Sequence, residues 1–265
     1  MYGFIGCGNM GGVLAAVAAK SVDGENVMTA DYDKKKTAAL QETYGTMPVT
    51  STEIAATCKY IVLGVKPQVV PAVAEEIRDI LAARSDRFVV VSMAAGVRAA
   101  DVSAMLGGCA VIRIMPNTPA AVGEGVIHYF PYGGVTDEEE AEFRAMFDKA
   151  GVLVKLDESK IDVACAVTGC GPAFVCMFLE GMIDGAVRLG LTHEQAVLFA
   201  EQTVIGTAKL ALETKTDPAQ LRANVCSPGG STIEGVAALE DRAFRAAIID
   251  AIDAAYRRTV ELGEK

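Results

Sequence analysis

The 265-residue sequence predicts an α/β chain, a doubly wound and mostly parallel sheet followed by an all-helical C-terminal domain. Three observations predict it. Up to about residue 156, short apolar runs alternate with amphipathic stretches. Several of those runs are continuous in Val, Ile and Leu. From residue 157 onward strand signals cease and long helical periodicities take over.

Strands are expected at 2–5, 26–30, 60–65, 88–93, 110–115, 126–130 and 152–155, with helices at 9–20, 34–44, 69–83 and 137–149 between them. Continuous runs such as Tyr60-Ile61-Val62-Leu63 suit strands buried on both faces. Alternation of strand and helix places helices on both sides of a parallel sheet. The second half is expected to hold helices at 173–189, 193–213, 233–239 and 241–262. In the first of these, Phe174, Met177, Phe178 and Met182 share or border one face. A helix apolar around most of its circumference must be covered on several sides. One small helical domain cannot easily do that, so association with a second copy is expected, the alternative cover being the first domain. The domains are expected at 1–156 and 157–265, abutting without a linker.

Hydrophobic residues make up 51% and charged residues 22%, an ordinary soluble balance. The net charge of −10 keeps the chain soluble and makes nucleic acid and anionic membranes poor partners. The cysteines at 7, 58, 109, 165, 170, 176 and 226 show no CxxC spacing, which fits free thiols in a reducing compartment. Two histidines, His128 and His193, lie far apart, so no metal site is expected. No basic leader precedes the first apolar run, and the apolar stretch 163–179 is broken by Gly169, Gly171 and Pro172. It reads as a buried loop and helix, not a membrane span, and the cytoplasm is the expected location.

Gly6-Cys7-Gly8-Asn9-Met10-Gly11 is a GxGxxG turn between a strand ending at Ile5 and an alanine-rich helix. Gly6 allows the tight turn, Gly8 lets a pyrophosphate approach the backbone, and Gly11 lets the helix pack closely on the strand. The anion then sits at the helix N-terminus. This context makes the first domain a dinucleotide-binding Rossmann domain; a glycine turn without ligand is the lesser reading. Asp31 lies twenty residues beyond Gly11, where an acid commonly bonds ribose hydroxyls and repels a 2′-phosphate. Lys34, Lys35 and Lys36 follow and could receive that phosphate. The cofactor is therefore NADH or NADPH, with a slight lean to NADH. Further loops at strand ends, Val65-Lys66-Pro67, Ala94-Ala95-Gly96 and Pro116-Asn117-Thr118-Pro119, are expected along the same crevice. Lys66 could hold a turn or a phosphate as readily as a proton.

A second anion cradle is read at Ser227-Pro228-Gly229-Gly230-Ser231-Thr232, ahead of a helix. It suits a substrate carboxylate, and the Thr232 hydroxyl could donate to or accept from a ring nitrogen. The plainer alternative is an ordinary N-cap. Cys170 has no histidine near it in sequence and is not read as a nucleophile.

Taken in order, Gly3-Phe4-Ile5-Gly6-Cys7-Gly8-Asn9-Met10-Gly11, Val65-Lys66-Pro67, Ala94-Ala95-Gly96, Met115-Pro116-Asn117-Thr118-Pro119, Gly169-Cys170-Gly171-Pro172-Ala173 and Ser227-Pro228-Gly229-Gly230-Ser231-Thr232 resemble pyrroline-5-carboxylate reductase over nearly the whole chain. The resemblance implies reduction of 1-pyrroline-5-carboxylate to L-proline by NAD(P)H, a helical dimerisation domain and an active site shared between subunits. Some members assemble as a decamer of five dimers. It implies that Thr232 bonds the imine nitrogen, that Gly230, Ser231 and Thr232 hold the substrate carboxylate with Ser227 and Gly229 in the same turn, and that Glu158 lies near the substrate. Ser51, Lys66, Ala95 and Asn224 would fall beside the cofactor. Thr168, Cys170 and Phe174 stand where the family usually has serine, serine and tyrosine, and Asp31-Tyr32-Asp33 departs from its usual short polar or basic residues. The competing readings are a hydroxy-acid dehydrogenase of similar architecture and a dinucleotide-binding regulator without turnover. The first needs a general base, and the helix after Gly171 carries no lysine through Gly190.

Overall fold

A computed structural model describes residues 1–263. The first half runs β1 (Tyr2–Ile5), α1 (Asn9–Val22), β2 (Val27–Ala30), α2 (Lys34–Tyr44), β3 (Met47–Pro48), α3 (Ser51–Thr57), β4 (Tyr60–Leu63), α4 (Val70–Ala82), β5 (Val89–Ser92), α5 (Ala99–Met105), β6 (Ala110–Met115), β7 (Gly125–Tyr132), α6 (Asp137–Met146) and β8 (Gly151–Lys155). Among the described residues these strands make one sheet in the order β3-β2-β1-β4-β5-β6-β7-β8. Every neighbouring pair is parallel except β6 and β7. Only residues 116–124 join those two, too few for the crossover a parallel return needs, so β7 runs back antiparallel.

The parallel centre is buried on both faces, as the continuous apolar runs predict: every residue of β4, β5 and β6 is buried. Successive side chains alternate between two cores. Phe4, Val62, Val91 and Ile112 pack with α1, Phe143 and Phe147 on one face. Ile5, Ile61, Leu63, Val90 and Val111 pack with Ile54, Ile77, Leu81 and Val102 on the other. Three elements of this first half lie outside the expected list, α3, α5 and β3, and all are short; β3 is a two-residue edge strand containing Pro48, a position where its missing N–H costs no ladder bond.

The second half consists of α7 (Glu158–Thr168), α8 (Gly171–Arg188), α9 (His193–Thr214), α10 (Pro218–Val225), α11 (Ser231–Asp241) and α12 (Phe244–Gly263). Two compact units divide the chain. One holds residues 1–169 with the segment from Ala255 onward, the other Cys170–Ala254. The change in composition falls at 157, but α7 packs on β6 and β7 and so belongs with the sheet. The sheet-bearing unit has two full cores, whereas the helical unit has almost none. No residue of α8 is buried, and in α9 only Ala196 and Ala200 are. Met177 is 70% exposed, Leu212 76% and Ile249 67%. Apolar exposure on this scale marks a surface built to be covered.

Candidate active site

The first turn of α1 is left open by its sequence. Its N-cap is Gly8, which offers no side-chain cap, so N–H groups at the helix start remain available to a ligand. Nothing lies within 4 Å of where a Gly8 Cβ would stand. The missing side chain opens onto a cleft of about 540 Å³ lined by Gly8, Asn9, Met10, Lys36, Gly64, Val65, Lys66, Met93, Met115 and Pro116. A backbone cradle at a helix N-terminus beside two lysines fits the pyrophosphate of a dinucleotide. Behind the cradle three glycines pack backbone to backbone. A Cβ on Gly11 would stand 2.0 Å from the Gly6 carbonyl oxygen, and one on Gly64 would stand 2.2 Å from the same atom. Gly6 holds the turn at φ +95°.

Asp31, at the end of β2, is bound into the turn. Its Oδ2 accepts from Cys7 N–H at 2.7 Å and its Oδ1 from Asp33 N–H at 2.8 Å, while Lys36 Nζ stands 3.3 Å from Oδ1. Partial burial pushes its pKa upward, but the Asp33 and Cys7 amides and the Lys36 ammonium outweigh that and hold the carboxyl below its ordinary value. The same burial, with Asp31 next to it, pushes the Cys7 thiol up to about 12. It is a packed neutral thiol, not a nucleophile.

Of the other residues expected along the crevice, Val65 and Lys66 line the cleft, with Pro67 next to them starting a short 3₁₀ turn. Ala94 is buried. Gly96, at φ +75°, lies in a turn closed by Val97 N–H to the Ala94 carbonyl at 3.3 Å. That glycine borders a separate cavity of about 430 Å³, together with Arg98, Arg113, Glu158, Ser159, Asp162, Thr259 and Val260. Asn117 is buried too and uses both ends of its amide internally. Its Nδ2 donates to the Thr168 carbonyl at 3.0 Å and its Oδ1 accepts from Val126 N–H at 2.8 Å. Beside it His128 Nε2 stands 3.1 Å from Thr168 Oγ1, and burial pushes that imidazole's pKa down. Ser51 is the first residue of α3, behind the Thr50 N-cap, and does not line the cleft.

In the helical unit, the Ser227 to Gly230 segment is a turn. Gly230 N–H donates to the Ser227 carbonyl at 3.0 Å, and Gly229 takes φ +65° after Pro228. Gly230 is the N-cap of α11 and provides no side-chain cap. The plain N-cap alternative therefore fails: Ser231 and Thr232 occupy the first helical positions, both exposed, ahead of uncapped amides. Asn224 lies on α10, where its Oδ1 accepts from Gln220 Nε2 at 2.8 Å.

Comparison with known proteins decides the family. A reductase of Synechocystis named pyrroline-5-carboxylate reductase is 39% identical, over 99% of this chain and 98% of its own. The chain belongs to the pyrroline-5-carboxylate reductases. The family model for pyrroline-5-carboxylate reductase dimerisation matches residues 158–262, and a model for coenzyme F420-dependent NADP oxidoreductases matches residues 1–96. The Escherichia coli reductase is 38% identical over 99% of this chain and 98% of its own. The solved Coxiella burnetii reductase superposes with a TM-score of 0.89 at 32% identity, covering 98% of this chain and 97% of that one. A Plasmodium falciparum pyrroline carboxylate reductase with NADP bound gives 0.88 at 29%, covering 99% and 97%.

As a pyrroline-5-carboxylate reductase, the chain reduces 1-pyrroline-5-carboxylate to proline with NAD(P)H, a step of proline biosynthesis, and carries a dimerisation domain. The dehydrogenase and regulator readings fall with this assignment. Sequence reasoning passed over two features of this reductase. Gly64 was visible as a glycine directly before the Val65-Lys66 loop. Arg113 was visible as a charge inside the apolar run 110–115, where a fully buried cation signals a partner.

Proposed function

We propose that this reductase uses NADH and seats the imine on the Ser227 to Thr232 turn, with a second copy of the chain completing the site. The single observation that carries the reading is that two helices start behind a glycine N-cap with no side-chain cap, α1 behind Gly8 and α11 behind Gly230, each suited to one anionic group. Around α1, the residues that would hold the dinucleotide are Gly8, Asn9, Met10, Val65 and Lys66 by contact, with Ile5, Gly6, Cys7, Gly11, Asp31, Pro67 and the 94–96 turn shaping the loops. Ser51 and Asn224 belong with that cofactor set on the strength of the resemblance, and Asn117 on the place of its loop at the end of β6. Bound there, the reduced nicotinamide supplies hydride.

The protein's own residues do the rest. The free amides of Ser231 and Thr232 hold the substrate carboxylate, on a turn that Ser227, Gly229 and Gly230 shape beneath them and that Gly230 N–H closes onto the Ser227 carbonyl. The Thr232 hydroxyl holds the ring nitrogen. An iminium accepts hydride far better than a neutral imine, so keeping that nitrogen hydrogen-bonded, with its proton taken from solvent or already present on the bound substrate, favours the reactive form. Placement at reacting distance is the larger contribution. The exposed apolar faces of α8 and α9, and the groove of about 890 Å³ that includes Phe178, Met182, Val204, Leu221 and Val225, are the surface on which a second copy would seat. Dimers are proposed to assemble further, to a decamer, and to work in the cytoplasm.

NADH is favoured because Asp31, held ionised, repels a 2′-phosphate and accepts from ribose hydroxyls. Lys36, one of the two lysines lining the cleft, already pairs with that carboxylate. Oxidation of NADH and NADPH, each driven by 1-pyrroline-5-carboxylate on purified protein, tests substrate and cofactor together. Faster turnover with NADPH would reject the cofactor assignment, and no turnover with either would reject the whole reading. Asp31→Ser should shift the NADPH to NADH ratio of kcat/KM upward by roughly tenfold, the scale of one removed charge beside a phosphate.

A further inference from the structure

Helix α5 begins without a cap of its own, since Arg98 at its N-cap position makes no side-chain bond to it. The acceptor comes from far along the chain. Glu158, the first residue of α7, accepts from Ala99 N–H through Oε1 at 2.7 Å. The same oxygen stands 3.4 Å from Arg113 Nη1, and Arg113 Nη2 donates to Asp162 at 2.7 Å. Arg113 is 2% exposed on β6, paired in register with Ser92 of β5, so the backbone that carries its cation is fixed by the sheet.

From Ser92 the chain passes through Met93, which lines the dinucleotide cleft, into the Gly96 turn and on to Ala99. The far side of Gly96 opens on the 430 Å³ cavity, whose border includes both Arg113 and Glu158. Packing alone therefore does not hold this turn on that side. We infer that Glu158 is a positioning residue for the dinucleotide cleft: its carboxylate, balanced by Arg113, clasps the first amide of α5 and so fixes the turn that follows Met93. The inference rests on the reductase reading for the identity of the dinucleotide, but its mechanism needs only the sheet-bearing unit.

Three full-length variants test it by fluorescence titration of NADH, steady-state kinetics and thermal melting. Glu158→Ala removes the acceptor, and the NADH dissociation constant should rise roughly tenfold, as displacement of a supporting contact does. Glu158→Gln keeps an oxygen facing Ala99 and should restore binding to within roughly threefold of the parent. Any change in the KM for 1-pyrroline-5-carboxylate, near which the family resemblance sets Glu158, should be smaller than the change in NADH binding. Asp162→Asn takes the charge from Arg113's shorter contact and leaves the Ala99 acceptor in place, so it should lower the melting temperature without moving NADH binding.

Unchanged NADH binding in Glu158→Ala overturns the inference. So does a rise confined to the KM for the imine, which would mean that Glu158 touches substrate. Equal loss of NADH binding in Asp162→Asn at equal loss of stability would reduce the effect to general loosening and overturn it as well. Should Glu158→Ala not fold, Glu158→Asp, one methylene short of Ala99, carries the same titration and must weaken NADH. An inactive parent enzyme would count against the reductase reading alone, because the titration needs no imine.

Discussion

Gly11→Ala is expected to abolish dinucleotide binding and lower the melting temperature by several degrees. The added methyl would stand 2.0 Å from the Gly6 carbonyl oxygen and 3.3 Å from that of Gly64. Neither can swing aside. The Gly6 carbonyl shares its peptide with Cys7 N–H, which donates to Asp31 Oδ2 at 2.7 Å, and both glycines are tied to strands, Gly6 N–H to the Ala30 carbonyl at 2.8 Å and Gly64 N–H to the Ile5 carbonyl at 2.7 Å. Relief must come from a backbone shift, and overpacking of that kind costs about 1–3 kcal/mol, or roughly 2–4 °C per kcal/mol in a domain of this size. The shift also carries α1 off the strand and spoils the cradle. Gly8→Ala is the contrast. Its methyl meets nothing within 4 Å and points into open space at the cleft, so binding should weaken while melting stays put. Melting curves and NADH titrations on both proteins check the pair; parent-like melting of Gly11→Ala would refute the close-packing account.

Thr232→Ala should lower kcat roughly a hundredfold, within the range of a hydroxyl that assists proton movement at the reacting atom, and leave NADH binding intact. Because the N-cap of α11 is Gly230, the Thr232 side chain is not what closes the helix, and the melting temperature should not change. Loss of a true capping threonine would do the reverse, costing about 1 kcal/mol of stability without touching turnover. Thr232→Ser should recover most of the rate. Stopped-flow turnover and melting on the two variants separate these outcomes, and an unchanged kcat in Thr232→Ala removes the residue from the mechanism.

The parts of the molecule that were legible in the sequence are those governed by local chemistry. The buried runs at 60–63 and 110–115 announce a parallel centre because only strands covered on both faces can dispense with polar alternation. The turn after Ile5 is readable because each of its glycines answers a separate steric demand. What stayed hidden depends on partners distant in the chain. Asn117, expected in the crevice, is occupied by Val126 and by the Thr168 carbonyl, and nothing in its own loop says so. Asp31 fits the ribose-binding spacing, yet its bond to Cys7 N–H appears only when β1 and β2 lie side by side. The antiparallel return of β7 follows from the shortness of the 116–124 connection, a topological constraint that no hydrophobic pattern records.

The near absence of a core in the helical unit has a thermodynamic corollary. Helices that shelter almost nothing among themselves draw their stability from whatever encloses them, so folding and assembly share one equilibrium. Dilution should then act as a denaturant: the midpoint of unfolding should fall as the protein is thinned from micromolar to nanomolar, in a way no monomer would show. Surface substitutions on α8 and α9 would in turn behave as core mutations do elsewhere.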